Sequence, residues 1–138
     1  MQLILYFLAT IGGLTILFVI FRLKIFQHLG LIIHQNLDIS LQELMFMYFR
    51  NSNVDLILKL LIISKKANII IDKSEIEAYI LGGLDTESAL QGLIYAKGKG
   101  YQLDLKEAIT CVASKKNIFD SINNWTRVNP NNRTITQL

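Results

Sequence analysis

The sequence contains a single cysteine and a single proline, and its two histidines are six residues apart. The lone cysteine, Cys111, cannot form an intramolecular disulfide or build a zinc site from thiolates. His28 and His34 would not share one face of a helix, and no pair of carboxylates stands beside them to complete a metal site. We therefore predict no metal and no other cofactor.

Motifs for catalysis and for phosphate binding are also missing. The glutamates are explained by helix capping or, for Glu77 and Glu87, by solvation, which leaves no spare pair for acid–base chemistry. Gly82-Gly83 lacks the Gly-x-Gly-x-x-Gly and Gly-Lys-Ser/Thr contexts that hold phosphate. The sequence thus predicts neither an enzyme nor a small-molecule substrate.

Clustered positive charge is absent as well. The chain has 14 Lys and Arg residues against 11 Asp and Glu. Arg22 and Lys24 account for most of that excess, and the rest of the chain is nearly neutral. A nucleic-acid-binding surface needs a concentrated basic patch, so nucleic acid is not an expected partner.

Charge is missing altogether from Leu3 to Phe21. At a rise of about 1.5 Å per residue, this run matches the hydrocarbon thickness of a bilayer and predicts a transmembrane helix within an anchor of residues 1–24. A signal peptide, which has basic residues before its apolar run, and a buried core helix fit less well. Because Arg22 and Lys24 follow the run, the N-terminus is expected outside and the rest in the cytoplasm. Gly12-Gly13 at mid-span leaves a re-entrant hairpin open.

Residues 25–38 mix apolar side chains with His, Gln and Asn. This pattern is typical of an amphipathic segment lying in the headgroup region beside the span. The alternative is a first helix of the globular part.

Capping boxes recur at one fixed interval, as Ser40-x-x-Glu43, Asp72-x-x-Glu75 and Asp104-x-x-Glu107. They predict an all-α fold in which the membrane helix is followed by a helical-repeat domain, residues 39–126, with a period of about 32 residues. Tandem helical units usually form surfaces for assembly. The short runs 69–71 and 101–103 are expected to be extended linkers rather than strands, and residues 127–138 a loose polar tail.

The first of these helices is apolar on every side from Leu44 to Phe49. A helix without a polar face must be covered by neighbours, by membrane or by a partner. The candidate membrane and interaction residues are Gly12, Gly13, Arg22, Lys24, Phe46, Tyr48 and Phe49.

Three stretches, at 61–69, 77–83 and 89–96, give the chain a family resemblance. In succession and spacing they resemble the N-terminal part of bacterial flotillin-like proteins, and the likeness runs from about Ser40 to Ile122. The resemblance implies an oligomeric protein of the bacterial inner membrane that organises membrane regions and protein complexes. It offers no catalytic residues. The large domain shared by flotillins, stomatins and prohibitins and the coiled coil after it are expected to be absent.

These observations favour a membrane-anchored scaffold or adaptor that oligomerises or recruits other membrane proteins through cytoplasmic helical repeats. The bilayer, membrane proteins and copies of the chain itself are the expected partners. The alternative is a small accessory subunit of a larger transport or secretion complex. Enlarging Gly12 or Gly13 separates the two, because only a helix packed against another protein should lose function.

Overall fold

A computed structural model describes residues 2–136 and 138 of the chain. The elements are α1 (Gln2–His34), α2 (Leu41–Phe49), α3 (Val54–Lys66), α4 (Lys73–Leu81), α5 (Thr86–Gly98), β1 (Gln102–Leu103), α6 (Leu105–Ala113), α7 (Ile118–Val128) and β2 (Thr134–Ile135). The all-α prediction is confirmed, with two short strands added. The chain divides into an N-terminal unit, residues 1–49, and a C-terminal unit, residues 50–138.

In the N-terminal unit, α1 is one uninterrupted helix of 33 residues. It does not break at Gly12-Gly13, and it continues past Lys24 to His34. Most of the segment expected to lie separately beside the span is therefore the last part of the same helix. By length and apolar composition, α1 qualifies as a membrane span.

The chain then reverses over residues 35–40, and α2 packs back against the last turns of α1. Among the side chains that the structure describes in this unit, the buried ones come from both helices and the connection between them: His28, Ile32, Ile39, Leu44 and Met47. Its core is therefore small and lies at the C-terminal end of α1.

In the C-terminal unit, α5 is the central helix and contacts α3, α4, α6, α7 and β1. Its buried side includes Ala89, Leu90, Gly92, Leu93 and Ala96. At Gly92 a methyl group would lie 2.2 Å from Cδ1 and 2.7 Å from Cγ1 of Ile118 on α7. The absence of a side chain at Gly92 lets α7 approach α5 closely.

The three capping boxes differ in how completely they form. The box at Ser40 forms both of its hydrogen bonds: Ser40 Oγ accepts from Glu43 N at 3.2 Å, and Ser40 N donates to Glu43 Oε2 at 2.8 Å. Asp72 accepts from Ser74 N at 2.8 Å, which lowers the pKa of its carboxyl group. Asp104 makes no side-chain capping bond. The equal boxes that the spacing predicts are thus unequal in the folded chain.

A further cap, Asp85, gives a prediction by contrast with Asp104. Asp85 accepts from Ser88 N at 3.0 Å and Ser88 Oγ at 2.6 Å. We expect Asp85→Ala to lower the free energy of unfolding by about 1 kcal/mol, and Asp104→Ala by clearly less. Equal losses in urea unfolding would contradict this assignment.

The same cap predicts a pH dependence. The hydrogen bonds from Ser88 lower the pKa of Asp85 below its usual 3.8. The stabilisation is therefore complete above that value and is lost as the pH falls through the lower pKa of the folded state. The difference in stability between the parent chain and Asp85→Ala should shrink in that acidic range.

Part of the C-terminal tail forms a paired strand, which corrects the expectation of a loose segment. Gln102 pairs with Thr134 and Leu103 with Ile135 in a parallel two-stranded sheet, and the Ile135 side chain is buried. The Trp125 indole N–H also donates to Thr136 O at 2.9 Å. Two residues of the predicted linker at 101–103, Gln102 and Leu103, therefore form a strand. Its partner lies beyond α6 and α7 in the chain, so the local sequence gives no indication of the pairing.

Glu77 is the second correction, because it is buried rather than solvated. Its carboxylate accepts from Arg50 Nη2 at 2.8 Å and from Ser52 Oγ at 2.6 Å. The pair joins the start of this unit to α4. By contrast, Lys59 and Glu87 form an ion pair at 2.7 Å in which both side chains are well exposed.

These two ion pairs should differ in strength. Arg50→Ala leaves the Glu77 carboxylate buried without its cation, and we expect a loss of about 2–3 kcal/mol in the free energy of unfolding. Lys59→Ala breaks an exposed pair and should cost less than about 1 kcal/mol. Urea unfolding followed by fluorescence measures both, and similar losses would contradict the assignment. Adding Glu77→Leu to Arg50→Ala should restore part of the lost stability.

Candidate membrane and interaction surface

The outer surface of α1 is apolar from Leu3 to Val19 and almost entirely exposed over the side chains that the structure describes. Gly12 and Gly13 lie in the middle of this stretch. A methyl group at either position would meet nothing within 4 Å. The two glycines therefore leave a shallow, unoccupied strip on an exposed helix and are not needed for packing within the chain.

Arg22 and Lys24 lie where the apolar stretch ends. The guanidinium of Arg22 is placed over the rings of Phe18 and Phe26, at 5.7 and 5.6 Å from their centroids. These residues are one helical turn to either side of it, so the cation is held between two aromatic rings along α1. Such an arrangement of basic and aromatic side chains is typical of the membrane–water boundary.

Of the three candidate residues on α2, two are exposed and one is not. Phe46 and Phe49 are 61% and 74% exposed. Tyr48 turns inward, where its hydroxyl shares a hydrogen bond with Nδ1 of His28 on α1. His28 is therefore buried in the small core and is not an outward-facing polar residue of an amphipathic segment beside the span.

Sequence reasoning missed two members of this surface, Leu41 and Met45, which are also exposed. With Phe49 they are spaced four residues apart, so they lie along one side of the helix. A spacing of four residues can indicate which side of a helix faces outward. Here it did not stand out, because every residue from Leu44 to Phe49 is apolar and the inward and outward faces look alike in the sequence.

The family model of flotillin-like protein FloA matches residues 3–136. The chain belongs to this family. The match confirms the flotillin-like resemblance and extends it over α1 at one end and β2 at the other. No curated protein and no solved structure matches the chain.

Membership in the FloA family indicates a membrane-associated protein of the scaffold type, a class not known for enzymatic activity. Together with α1, it supports association of this FloA-family chain with a membrane. Within residues 2–136 and 138, no three His, Cys, Asp or Glu side chains are grouped so as to hold a metal ion. Cys111 is buried in the core of the C-terminal unit.

The C-terminal unit of this FloA-family chain carries polar clusters that join its helices. Tyr95 on α5 donates its hydroxyl to Asn123 Oδ1 on α7 at 2.8 Å, and Lys99 reaches the same oxygen. Lys99 also hydrogen-bonds to the Tyr95 hydroxyl, which lowers the pKa of this tyrosine. Lys97 donates to the carbonyl oxygens of Ala67 and Asn68 at the end of α3. These contacts hold neighbouring helices together, which gives the polar side chains of Tyr95, Lys97, Lys99 and Asn123 a structural role.

Proposed function

We propose that the chain is a membrane-anchored scaffold or adaptor whose helical region binds copies of itself or other membrane proteins. The observation that carries the proposal is the combination of an exposed apolar helix, α1, with a regular series of packed helices after it. Family membership supports the scaffold class. We place the protein in the bacterial inner membrane, with its N-terminus outside and its helical region in the cytoplasm.

The helical region is proposed to be a tandem array with the same period as the capping boxes. Helices α2, α4 and α6 each have nine residues and begin at Leu41, Lys73 and Leu105. Helices α3, α5 and α7 begin at Val54, Thr86 and Ile118. Both series advance by 32, and the strand pairing of Gln102 with Thr134 has the same offset.

Backbone conformation supports this period independently of the helix starts. Outside the regular elements, six residues of the described chain have positive φ angles. They form two series spaced by 32: Asn36, Asn68 and Gly100, and Asn51, Gly83 and Lys115. Asparagine and glycine tolerate this conformation best, and five of the six positions carry one of them. Each proposed unit therefore turns at the same two places.

Tandem helical units stack on their neighbours and leave an extended outer surface. Such a surface suits the binding of protein partners better than the binding of a small molecule, which needs a concave pocket.

Purification after mild detergent extraction, at near-native expression, tests the scaffold function. We expect the chain to migrate as an assembly larger than one copy or to carry other membrane proteins with it. Light scattering measures the mass, and mass spectrometry identifies the companions. A lone monomer that co-purifies with nothing would overturn the proposal.

Cysteine labelling tests the orientation. In a Cys111→Ala background, an impermeant maleimide applied to intact cells should label Gln2→Cys and should label Pro130→Cys only after permeabilisation. The reason is that Arg22 and Lys24 favour the cytoplasmic side. Labelling of position 130 in intact cells, with position 2 protected, would reverse the topology.

A further inference from the structure

The outward side of α2 is an apolar face next to the membrane helix. It comprises Leu41, Met45, Phe46 and Phe49, which are 38–74% exposed, together with the exposed Gln42. At 100° per residue these five positions lie within an arc of about 140°. The face contains no charged side chain.

The opposite side of α2 is fixed to α1. Leu44 and Met47 are buried, and Tyr48 packs against His28 with ring centroids 5.9 Å apart. Since α2 is attached through this inner side, its apolar outer side cannot turn inward. What covers the outer side must come from outside the N-terminal unit.

The position of α2 along the axis of α1 indicates which layer of the membrane surrounds it. His28 lies six residues beyond Arg22 and four beyond Lys24, or about 9 and 6 Å along the helix axis. Tyr48 is level with His28, and the chain reverses before α2, so the end of α2 that carries Phe46 and Phe49 is nearer the membrane. The headgroup layer is about 5–7 Å deep on each side of the hydrocarbon.

We propose that α2 lies in the headgroup–acyl boundary of the cytoplasmic leaflet and that its apolar face contacts lipid. The aromatic rings of Phe46 and Phe49 would rest at the depth where amphipathic helices insert their apolar side. The presence of many exposed apolar side chains on α1, in the same unit, favours lipid. The N-terminal unit is then held by two elements, a helix across the bilayer and the apolar face of α2 at its boundary. This inference rests on the proposed function only for the placement and the orientation of α1 in the bilayer.

A second copy of the chain is a weaker candidate for covering this face. Four partly exposed side chains present a few hundred square ångströms at most. A stable protein interface buries about 800 Å² on each partner. The absence of charge also fits lipid tails, because protein interfaces carry a polar rim.

Lipid contact is tested with an environment-sensitive fluorophore on the full chain. The label is attached at Phe49→Cys, or at Met45→Cys as a second site on the same face, in a Cys111→Ala background. The chain is reconstituted in vesicles of phosphatidylcholine and phosphatidylglycerol that carry a nitroxide either near the headgroup or at the end of the acyl chain. Ile70→Cys is the matched control, because Ile70 is an aliphatic side chain that is fully exposed in the C-terminal unit.

We expect the headgroup nitroxide to quench the label at position 49 or 45 about threefold more than the label at position 70. The deep nitroxide should quench it less than the shallow one. Equal quenching at positions 49 and 70 would overturn the inference, because α2 would then be no closer to lipid than the control. Self-quenching that grows with the protein-to-lipid ratio would also overturn it, in favour of a second copy.

The same samples separate this inference from the scaffold function. If the chain assembles or captures partners while position 49 shows no lipid contact, only the placement of α2 fails. If position 49 is quenched by lipid while the purified chain is a lone monomer, only the scaffold function fails. A carbonate wash of the vesicles verifies that α1 has inserted in each case.

Discussion

The paired substitution Ile11→Arg with Leu14→Arg is expected to remove the chain from the membrane. Both side chains are exposed on the central part of α1. An arginine at the centre of a membrane helix costs about 2.5–3.5 kcal/mol on the insertion scale, so the pair costs about 5–7 kcal/mol. That energy shifts the insertion equilibrium by at least about a thousandfold. The fraction that remains in membranes after an alkaline carbonate wash measures the effect.

The control adds the same two charges elsewhere on α1. Gln27 and Ile33 are exposed near the end of α1, beyond Lys24. Arginine at both positions should leave the chain in the membrane, because basic side chains are tolerated in the headgroup layer. If the central pair is retained as well as this control, α1 does not span the bilayer.

Replacing Gly92 by valine should destabilise the C-terminal unit by about 3 kcal/mol or more. The new Cβ alone would lie 2.2, 2.7 and 3.3 Å from three side-chain carbons of Ile118, which is itself buried. Overfilling a packed core forces side chains off their rotamers or moves the backbone. Helix α7 would have to shift away from α5. Urea unfolding followed by the fluorescence of Trp125, the chain's one tryptophan, reports on this unit directly.

Gly98 provides the matched control at the end of the same helix. A side chain there meets nothing within 4 Å, so Gly98→Val should stay within about 0.5 kcal/mol of the parent chain. The double variant Gly92→Val with Ile118→Ala should lose less than the two single losses added together, because the smaller residue at 118 makes room. Additive losses, or an unchanged stability of Gly92→Val, would contradict the close approach of α5 and α7.

The helix starts were predictable because their chemistry is local. Ser40, Asp72 and Asp104 stand at the beginning of α2, α4 and α6, where the capping pattern puts them. The exposed apolar helix α1 was equally visible, since its length and absence of charge are read directly from the sequence. The family resemblance followed from the order of three short stretches that lie largely in α3, α4 and α5.

Features that depend on distant residues were not predictable from the sequence. A glutamate in a helix usually lies in solvent, and nothing near Glu77 in the sequence indicates otherwise. Its carboxylate is buried because Arg50 and Ser52, from much earlier in the chain, hydrogen-bond to it. His28 is buried for the same reason, because Tyr48 folds back onto it. The exposed face of α2 was equally hidden, since packing alone decided which of its apolar residues point outward.

The pairing of β1 with β2 has a consequence for the order of folding. The helices form from contacts within a few residues, whereas Gln102 N donates to Arg133 O, 2.7 Å away, only after the intervening chain has closed a loop. Because α6 and α7 bring the two strands together, we expect the sheet to form after them. The Gln102 amide is thus a natural reporter of completed folding, and its hydrogen exchange should be governed by the opening of the C-terminal unit as a whole.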